Sequence, residues 1–249
     1  MIICKSPVEV EKLRRSGRIV RQLLGEIRDQ IRPGITTLEL EKFVVKRLKE
    51  LGARPAFKGY RGYPCCLCTS INDEVIHGIP SERRTLKAGD ILSLDMGVVV
   101  DGYYGDSALT VPVGAISESA QRLLKVTEEA LELALDKVRL GNRLGDVSAT
   151  VQEHAETNGY SVVREFVGHG IGKAMHEEPQ IPNFGQPGHG PLLKEGMVFA
   201  IEPMVNAGGP AVRVLDDNWT AVTVDGGLSA HFEHMVAVTR NGPDVLTRL

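Results

Sequence analysis

The chain has no run that approaches the about eighteen apolar residues a membrane-spanning helix needs. Its opening residues, Met1-Ile-Ile-Cys-Lys-Ser-Pro7, lack both the apolar stretch of a secretory signal and the Arg- and Ser-rich composition of a transit peptide, so a cytoplasmic protein is expected. Positive charge is not in surplus. The 29 Lys and Arg against 32 Asp and Glu leave a formal charge of -3 with no basic stripe, which argues against direct nucleic-acid binding driven by electrostatics. Cysteine is scarce and badly spaced for a disulfide framework, with Cys65, Cys66 and Cys68 crowded together and Cys4 far away. All four read as reduced, partly buried small hydrophobes. No second Cys or His pair stands at zinc-finger spacing, which leaves little ground for a thiolate zinc site.

What is present is an ordinary globular composition, 42% apolar and 24% charged over 249 residues, with enough chain to bury a sizeable core. The most informative segment runs from Asp95 to Asp106. Two strand-like runs, Ile91 to Val100 and Tyr103 to Val113, flank Asp101-Gly102, a dipeptide suited to a type I′ turn because both central residues take positive φ. With that turn as centre, Asp95 faces Ala108 and Asp106 is its diagonal neighbour on the same face, about 7 to 8 Å away. By itself the pair reads equally as a cation site or as two solvated strand acids.

A shift of 107 residues lays Lys87-Ala-Gly-Asp-Ile-Leu-Ser-Leu-Asp95 on Lys194-Glu-Gly-Met-Val-Phe-Ala-Ile-Glu202, and Arg32-Pro-Gly34 on Arg139-Leu-Gly141. Both halves read as two helices followed by strands. Ser6-Pro-Val-Glu9 and Thr36-x-x-Glu39 are capping boxes, the second opening a helix that runs to Gly52. Ser117 caps a helix to about Val138, and another is expected from about Asp146 to Asn158. Strands are expected near Met197 to Val205, Trp219 to Val224 and Leu228 to Thr239. Fused halves of this kind favour a pseudo-twofold α+β architecture, a single domain over 1–249 with halves of about 1–114 and 115–249, and a site on the axis between them.

The second half supplies further groups for such a site. His169 sits between glycines in Gly168-His-Gly-Ile-Gly172, and Glu202 and Glu233 each interrupt an apolar strand. Singly, each acid reads as well as a partner for Lys or Arg. Together, Asp95, Asp106, His169, Glu202 and Glu233 bring four negative charges, which two divalent cations would balance and one would not. Oxygen-rich ligation with one imidazole suits manganese, iron or cobalt and admits zinc.

As an ordered set, Asn72-Asp-Glu-Val-Ile-His-Gly-Ile-Pro80, Asp95-Met-Gly97, Tyr104-Gly-Asp106, Gly168-His-Gly-Ile-Gly172, His176-Glu-Glu-Pro179, Phe199-Ala-Ile-Glu-Pro203 and Phe232-Glu-His234 resemble type I methionine aminopeptidases of peptidase family M24. That family shares the pita-bread fold with Xaa-Pro peptidases. The resemblance covers nearly the whole chain. It implies antiparallel sheets at the centre covered by two pairs of helices, with Asp95, Asp106, His169, Glu202 and Glu233 as metal ligands. It also implies His77 and His176 as non-ligand histidines near the scissile bond, and a monovalent cation near Asn72 and Ser229. Tyr60, Tyr63, Cys68 and Trp219 match positions of its methionine pocket, with Phe57 and Met175 flanking them, and rings and soft side chains suit an unbranched thioether. Phe57 stands where a small residue is frequent in bacterial members and Met175 where an aromatic is frequent, a swap that changes pocket shape. Taken singly, these apolar side chains read as well as core packing.

The implied chemistry is removal of the N-terminal methionine from nascent polypeptides and peptides with a small second residue, near the ribosome, by a monomer. A metal-bridged hydroxide attacks the first peptide carbonyl, Glu202 serves as general base, and His77 and His176 stabilise the tetrahedral intermediate or bind the following amide. Two other function classes are distinguishable. An Xaa-Pro dipeptidase shares the five ligands but is expected to carry an extra N-terminal domain, for which the residues before the first motif leave little room. A binding module that has lost its chemistry is expected to lack ligands, and none is missing.

Overall fold

The computed structural model describes residues 1–249. Helices α1 (Pro7–Arg28) and α2 (Thr37–Glu50) start at reciprocal caps: the Ser6 and Thr36 hydroxyls accept from the amides of Glu9 and Glu39, whose carboxylates accept from the amides of Ser6 and Thr36. Helix α3 (Glu118–Asp136) is capped by Ser117, which accepts from the Ala120 amide at 3.2 Å. Helix α4 spans Leu144–Thr157, starting ahead of Asp146 because that carboxylate reaches back to accept from the Arg143 amide at 2.7 Å.

The strands Ile91–Val100 and Tyr103–Pro112 pair with Asp95 opposite Ala108 and Gly97 opposite Asp106, around Asp101 and Gly102 at φ 51° and 79°. This is the register expected from the turn dipeptide. Helix α1 lies on the hairpin at close range: a Cβ on Gly105 would come within 2.5 Å of the Ser16 carbonyl carbon, and Ser16 Oγ donates to the Tyr103 carbonyl at 3.0 Å. Helix α2 packs against α1, while α3 packs with α4 and covers the strands of the second half.

The second half departs from the continuous strands expected of it. Met197 to Val205 divides into Val198–Ile201 and Met204–Asn206, and Leu228 to Thr239 into Ser229–His231 and His234–Thr239. Pro203 has no N–H to give a ladder, so the strand breaks there and its two pieces join different sheets, one of five strands and one of three. Ile201 stands opposite His234 and Met204 opposite His231, so the gap holds Glu202 across from Glu233. The expected strand at Trp219 begins at Ala221, because Asp217 Oδ1 accepts from the amides of Trp219 and Thr220 at 2.9 and 2.8 Å and folds those residues into a turn.

Every ladder is antiparallel. The halves are stitched where the site forms: Glu233 N–H donates to the Ala108 carbonyl at 3.0 Å, Ser107 Oγ to the Glu233 carbonyl at 2.8 Å, and Thr110 Oγ1 to the His231 carbonyl at 2.9 Å. The architecture is α+β, with antiparallel sheets and two pairs of helices. No helix is long and apolar enough to cross a membrane.

Candidate metal centre and substrate pocket

Five acceptor side chains meet at this seam. Asp95 and Asp106 come from the hairpin, Glu202 and Glu233 from the paired breaks, and His169 from the short strand Gly168–Gly170. Its flanking glycines are required by crowding, since a Cβ would lie 2.5 Å from the Ala200 carbonyl oxygen at Gly168 and 2.3 Å from that of Glu178 at Gly170. All five residues are between 2% and 8% exposed. His169 Nε2 lies 3.6 Å from Glu202 Oε1 and 3.9 Å from Asp106 Oδ2, and ligand atoms of Asp106, His169 and Glu233 all fall within 4.8 Å of one another. The other ring nitrogen, Nδ1, is 2.9 Å from the Gly170 carbonyl, which places the proton on Nδ1 and leaves the Nε2 lone pair facing the acids.

No Lys or Arg compensates these carboxylates. Asp95 Oδ1, Asp106 Oδ1 and Glu233 Oε1 are buried without a hydrogen-bond partner. Burial raises the pKa of all four acids, and the charges of neighbouring carboxylates raise those of Asp106, Glu202 and Glu233 further. Orphaned buried acceptors converging with one oriented imidazole fit divalent cations, which supply both the missing charge and the missing partners. The Cys68 thiol lies opposite Asp95 in the ladder, but burial and then that charge keep it protonated, so it does not enlarge the donor set.

This electrostatic arrangement predicts how stability responds to metal and to pH. Below about pH 4 these carboxyls are protonated in both native and unfolded chains. As pH rises above that, the unfolded chain loses protons that the metal-free native chain retains, so stability of the metal-free form falls through the window up to the raised native values. Metal at about a hundredfold over its Kd contributes about 2.7 kcal/mol, a rise in Tm of roughly 5 to 10 °C for a chain of this size. Calorimetry with and without chelator is expected to show that gap, wider near pH 8 than near pH 5.5. Coincident melting curves at both pH values would mean that the acids do not share a site.

A cavity of about 290 Å3 opens above the acids, and Phe57, Tyr60, Tyr63, Cys68, His77, Met175, His176 and Trp219 all line it. Phe57 fits because Gly97 faces it: a Cβ there would come within 2.7 Å of Phe57 Cε1. Tyr63 meets Trp219 edge-on with centroids 5.1 Å apart. His77 has φ 63°, an uncommon backbone for a residue with a side chain, and its ring stands edge-on to Phe166 at 5.6 Å and to Trp219 at 5.8 Å. Burial, reinforced by His176, lowers the His77 pKa to about 4, and burial with the nearby Arg61 also lowers that of His176. Both rings are therefore neutral near pH 7. His176 Nδ1 lies 2.7 Å from the Tyr60 hydroxyl, and its ring centroid is 4.2 Å from that of His169.

Several lining residues escaped the sequence reading. Arg61, Ile76, Glu165, Phe166 and Val167 belong to the cavity wall, and His231 places Nε2 3.9 Å from Glu202 Oε2 with both ring nitrogens unpartnered. No spacing marks the wall residues, although the alternation Ser229-Ala-His231-Phe-Glu233 puts His231 on the same side of its segment as Glu233. Asn72 and Ser229 lie outside the cavity wall but meet each other, with Ser229 N–H donating to the Asn72 carbonyl at 2.9 Å. The cysteines are all free, and Cys4 is exposed where partial burial was expected.

Residues 11–240 match the sequence model of Metallopeptidase family M24. The chain is 52% identical over 249 residues to methionine aminopeptidase 1 of Bacillus subtilis, covering 100% of both. The chain belongs to metallopeptidase family M24, among the methionine aminopeptidases. This M24 peptidase is also 50% identical over 247 residues to the methionine aminopeptidase of Clostridium acetobutylicum, with 99% of each covered. The crystal structure of methionine aminopeptidase from Thermotoga maritima superimposes with a TM-score of 0.98 at 48% identity over 100% of both chains. The prolidase of Pyrococcus horikoshii shares the fold at a TM-score of 0.80 and 22% identity, but this chain covers only 64% of it. Divalent-metal dependence comes with family membership.

Proposed function

We propose that this methionine aminopeptidase acts on nascent polypeptides and peptides whose second residue is small, with two divalent ions held by Asp95, Asp106, His169, Glu202 and Glu233. The observation that carries the reading is the convergence of four uncompensated carboxylates and one oriented imidazole beside a slot walled by Tyr63, Cys68 and Trp219. Divalent ions held there would supply Lewis acidity that lowers the pKa of water toward neutrality and polarises a carbonyl, and cobalt, manganese, iron and zinc all suit the donor set. Glu202, released from the ladder at the strand break, takes the proton of the attacking water and returns it to the leaving amine. A hydroxyl proton from Tyr60 on His176 Nδ1 leaves the ring's Nε2–H as a neutral donor, and His77 is a second. These donors stabilise the tetrahedral oxyanion or hold the following amide.

The methionine side chain lies among the aromatic and sulfur-bearing walls, while the residue after it sits beside the histidines, where space is short. We place Asn72 and Ser229 at a structural monovalent cation, since the turn carbonyl of Asn72 and the hydroxyl of Ser229, whose amide meets that carbonyl, offer oxygens without net charge. The same reading makes the chain a monomeric, single-domain cytoplasmic enzyme that meets its substrates near the ribosome, without membrane or nucleic-acid binding of its own.

The test is a comparison of peptides by kcat/KM. Met-Ala and Met-Gly peptides are expected to exceed Met-Leu and Met-Lys by on the order of a hundredfold, because a crowded second position penalises every added methylene. Equal turnover of Met-Leu would remove the small-residue rule. Preference for Xaa-Pro peptides would replace this reading with a dipeptidase.

A further inference from the structure

Lys5 precedes α1 and does not line the cavity, yet its side chain is only 5% exposed and is paired with Glu177, the neighbour of His176 in the chain. We propose that Lys5 is a positioning residue for His176, acting through Glu177 on the backbone of the Gly172–His176 loop. The inference rests on the role given to His176 above.

One Glu177 carboxylate does two jobs. Its Oε2 takes the Lys5 ammonium, and its Oε1 accepts from the amides of Lys173 and Ala174 at 2.9 and 3.3 Å. The loop closes on itself through the Gly172 N–H, which donates to the Ala174 carbonyl at 3.1 Å, and its base is set by Glu177 standing opposite Gly170 in the ladder. Ion pair and loop backbone touch directly: a Cβ on Gly172 would lie 2.4 Å from Glu177 Oε1 and 2.7 Å from Lys5 Nζ. The Gly172 carbonyl in turn accepts from the Tyr104 amide at 2.9 Å, two residues before Asp106.

Lys5 is itself anchored. Its amide donates to the Gly196 carbonyl at 2.6 Å, just ahead of the strand Val198–Ile201 that leads to Glu202. The cation therefore spans the strand that delivers one acid and the loop that delivers His176. Removing it leaves a carboxylate, 12% exposed, without a counter-charge. Such a group turns toward water, and its turning frees the two amides that hold the loop.

The experiment uses the full-length, metal-loaded enzyme with a Met-Ala peptide, alongside calorimetric metal titration and Tm. Lys5→Met is expected to lower kcat on the order of tenfold, since small misplacements of a group acting on the transition state are costly. Metal affinity stays within about twofold, and Lys5→Arg keeps kcat within about threefold of the parent. In a His176→Ala background the same Lys5→Met change costs less than about twofold, because the group it positions is gone. Should Lys5→Met fail to fold, Lys5→Met/Glu177→Met leaves neither a lone buried charge nor an acceptor for the two loop amides and is expected to show the same loss. An unchanged kcat in Lys5→Met or in the double variant overturns the inference, as does an equal loss in both backgrounds. An unchanged kcat in His176→Ala alone overturns instead the role assigned to His176.

Discussion

Glu202→Gln is expected to lower kcat by on the order of a thousandfold at saturating metal while also weakening metal binding. The substitution keeps the shape of the side chain, so the break opposite Glu233 and the ladders on either side of it stay in place. What changes is charge and basicity. One of four negative charges that no Lys or Arg offsets is lost, which reduces the attraction for cations, and the amide oxygen that remains cannot take up a proton. The two effects separate on titration, because added metal restores occupancy and leaves proton transfer impaired. The measurement is kcat against metal concentration, with binding followed by calorimetry. Recovery of the parent rate at high metal would reduce Glu202 to a ligand and remove it as general base.

The three histidines should divide by what they lose. His77→Ala and His176→Ala are expected to cut kcat by on the order of a hundredfold or more with metal affinity nearly unchanged, because in the proposed mechanism each supplies a neutral donor that acts in the transition state. His169→Ala removes the nitrogen whose lone pair faces the acids, so metal occupancy and activity should fall together. His176 is the sharper test, for its ring lies 4.2 Å from that of His169 and a ligand role for it would be geometrically reasonable. Metal affinity lost in His176→Ala to the same degree as in His169→Ala would move it into the ligand set.

The hairpin and its two acids were legible from local chemistry. A type I′ dipeptide sets the register of the strands it joins, and strand periodicity then sets the face, so the placement of Asp95 and Asp106 needs no information from beyond the hairpin. The capping boxes at Ser6 and Thr36 were legible for the same reason, whereas α4 was misplaced at its start because Asp146 serves a cap from inside the helix. The second-half strands were misread as continuous. Pro203 signals an interruption, but where the two pieces go depends on partners more than twenty residues away in the chain, and only those partners turn the interruption into a gap that holds Glu202 against Glu233.

The sequence by itself determined the chemical kinds available, four acids and a glycine-flanked histidine in apolar surroundings, together with the turns and caps that short-range sterics and hydrogen bonding dictate. Tertiary structure decided everything that depends on distance across the chain. It brought Asp95 to Glu233, seated Phe166 against His77, and paired Lys5 with Glu177. Desolvation and Coulomb energy are properties of assembled neighbours, so the raised pKa values of the acids, and with them the need for cations, exist only once the two halves close on one another.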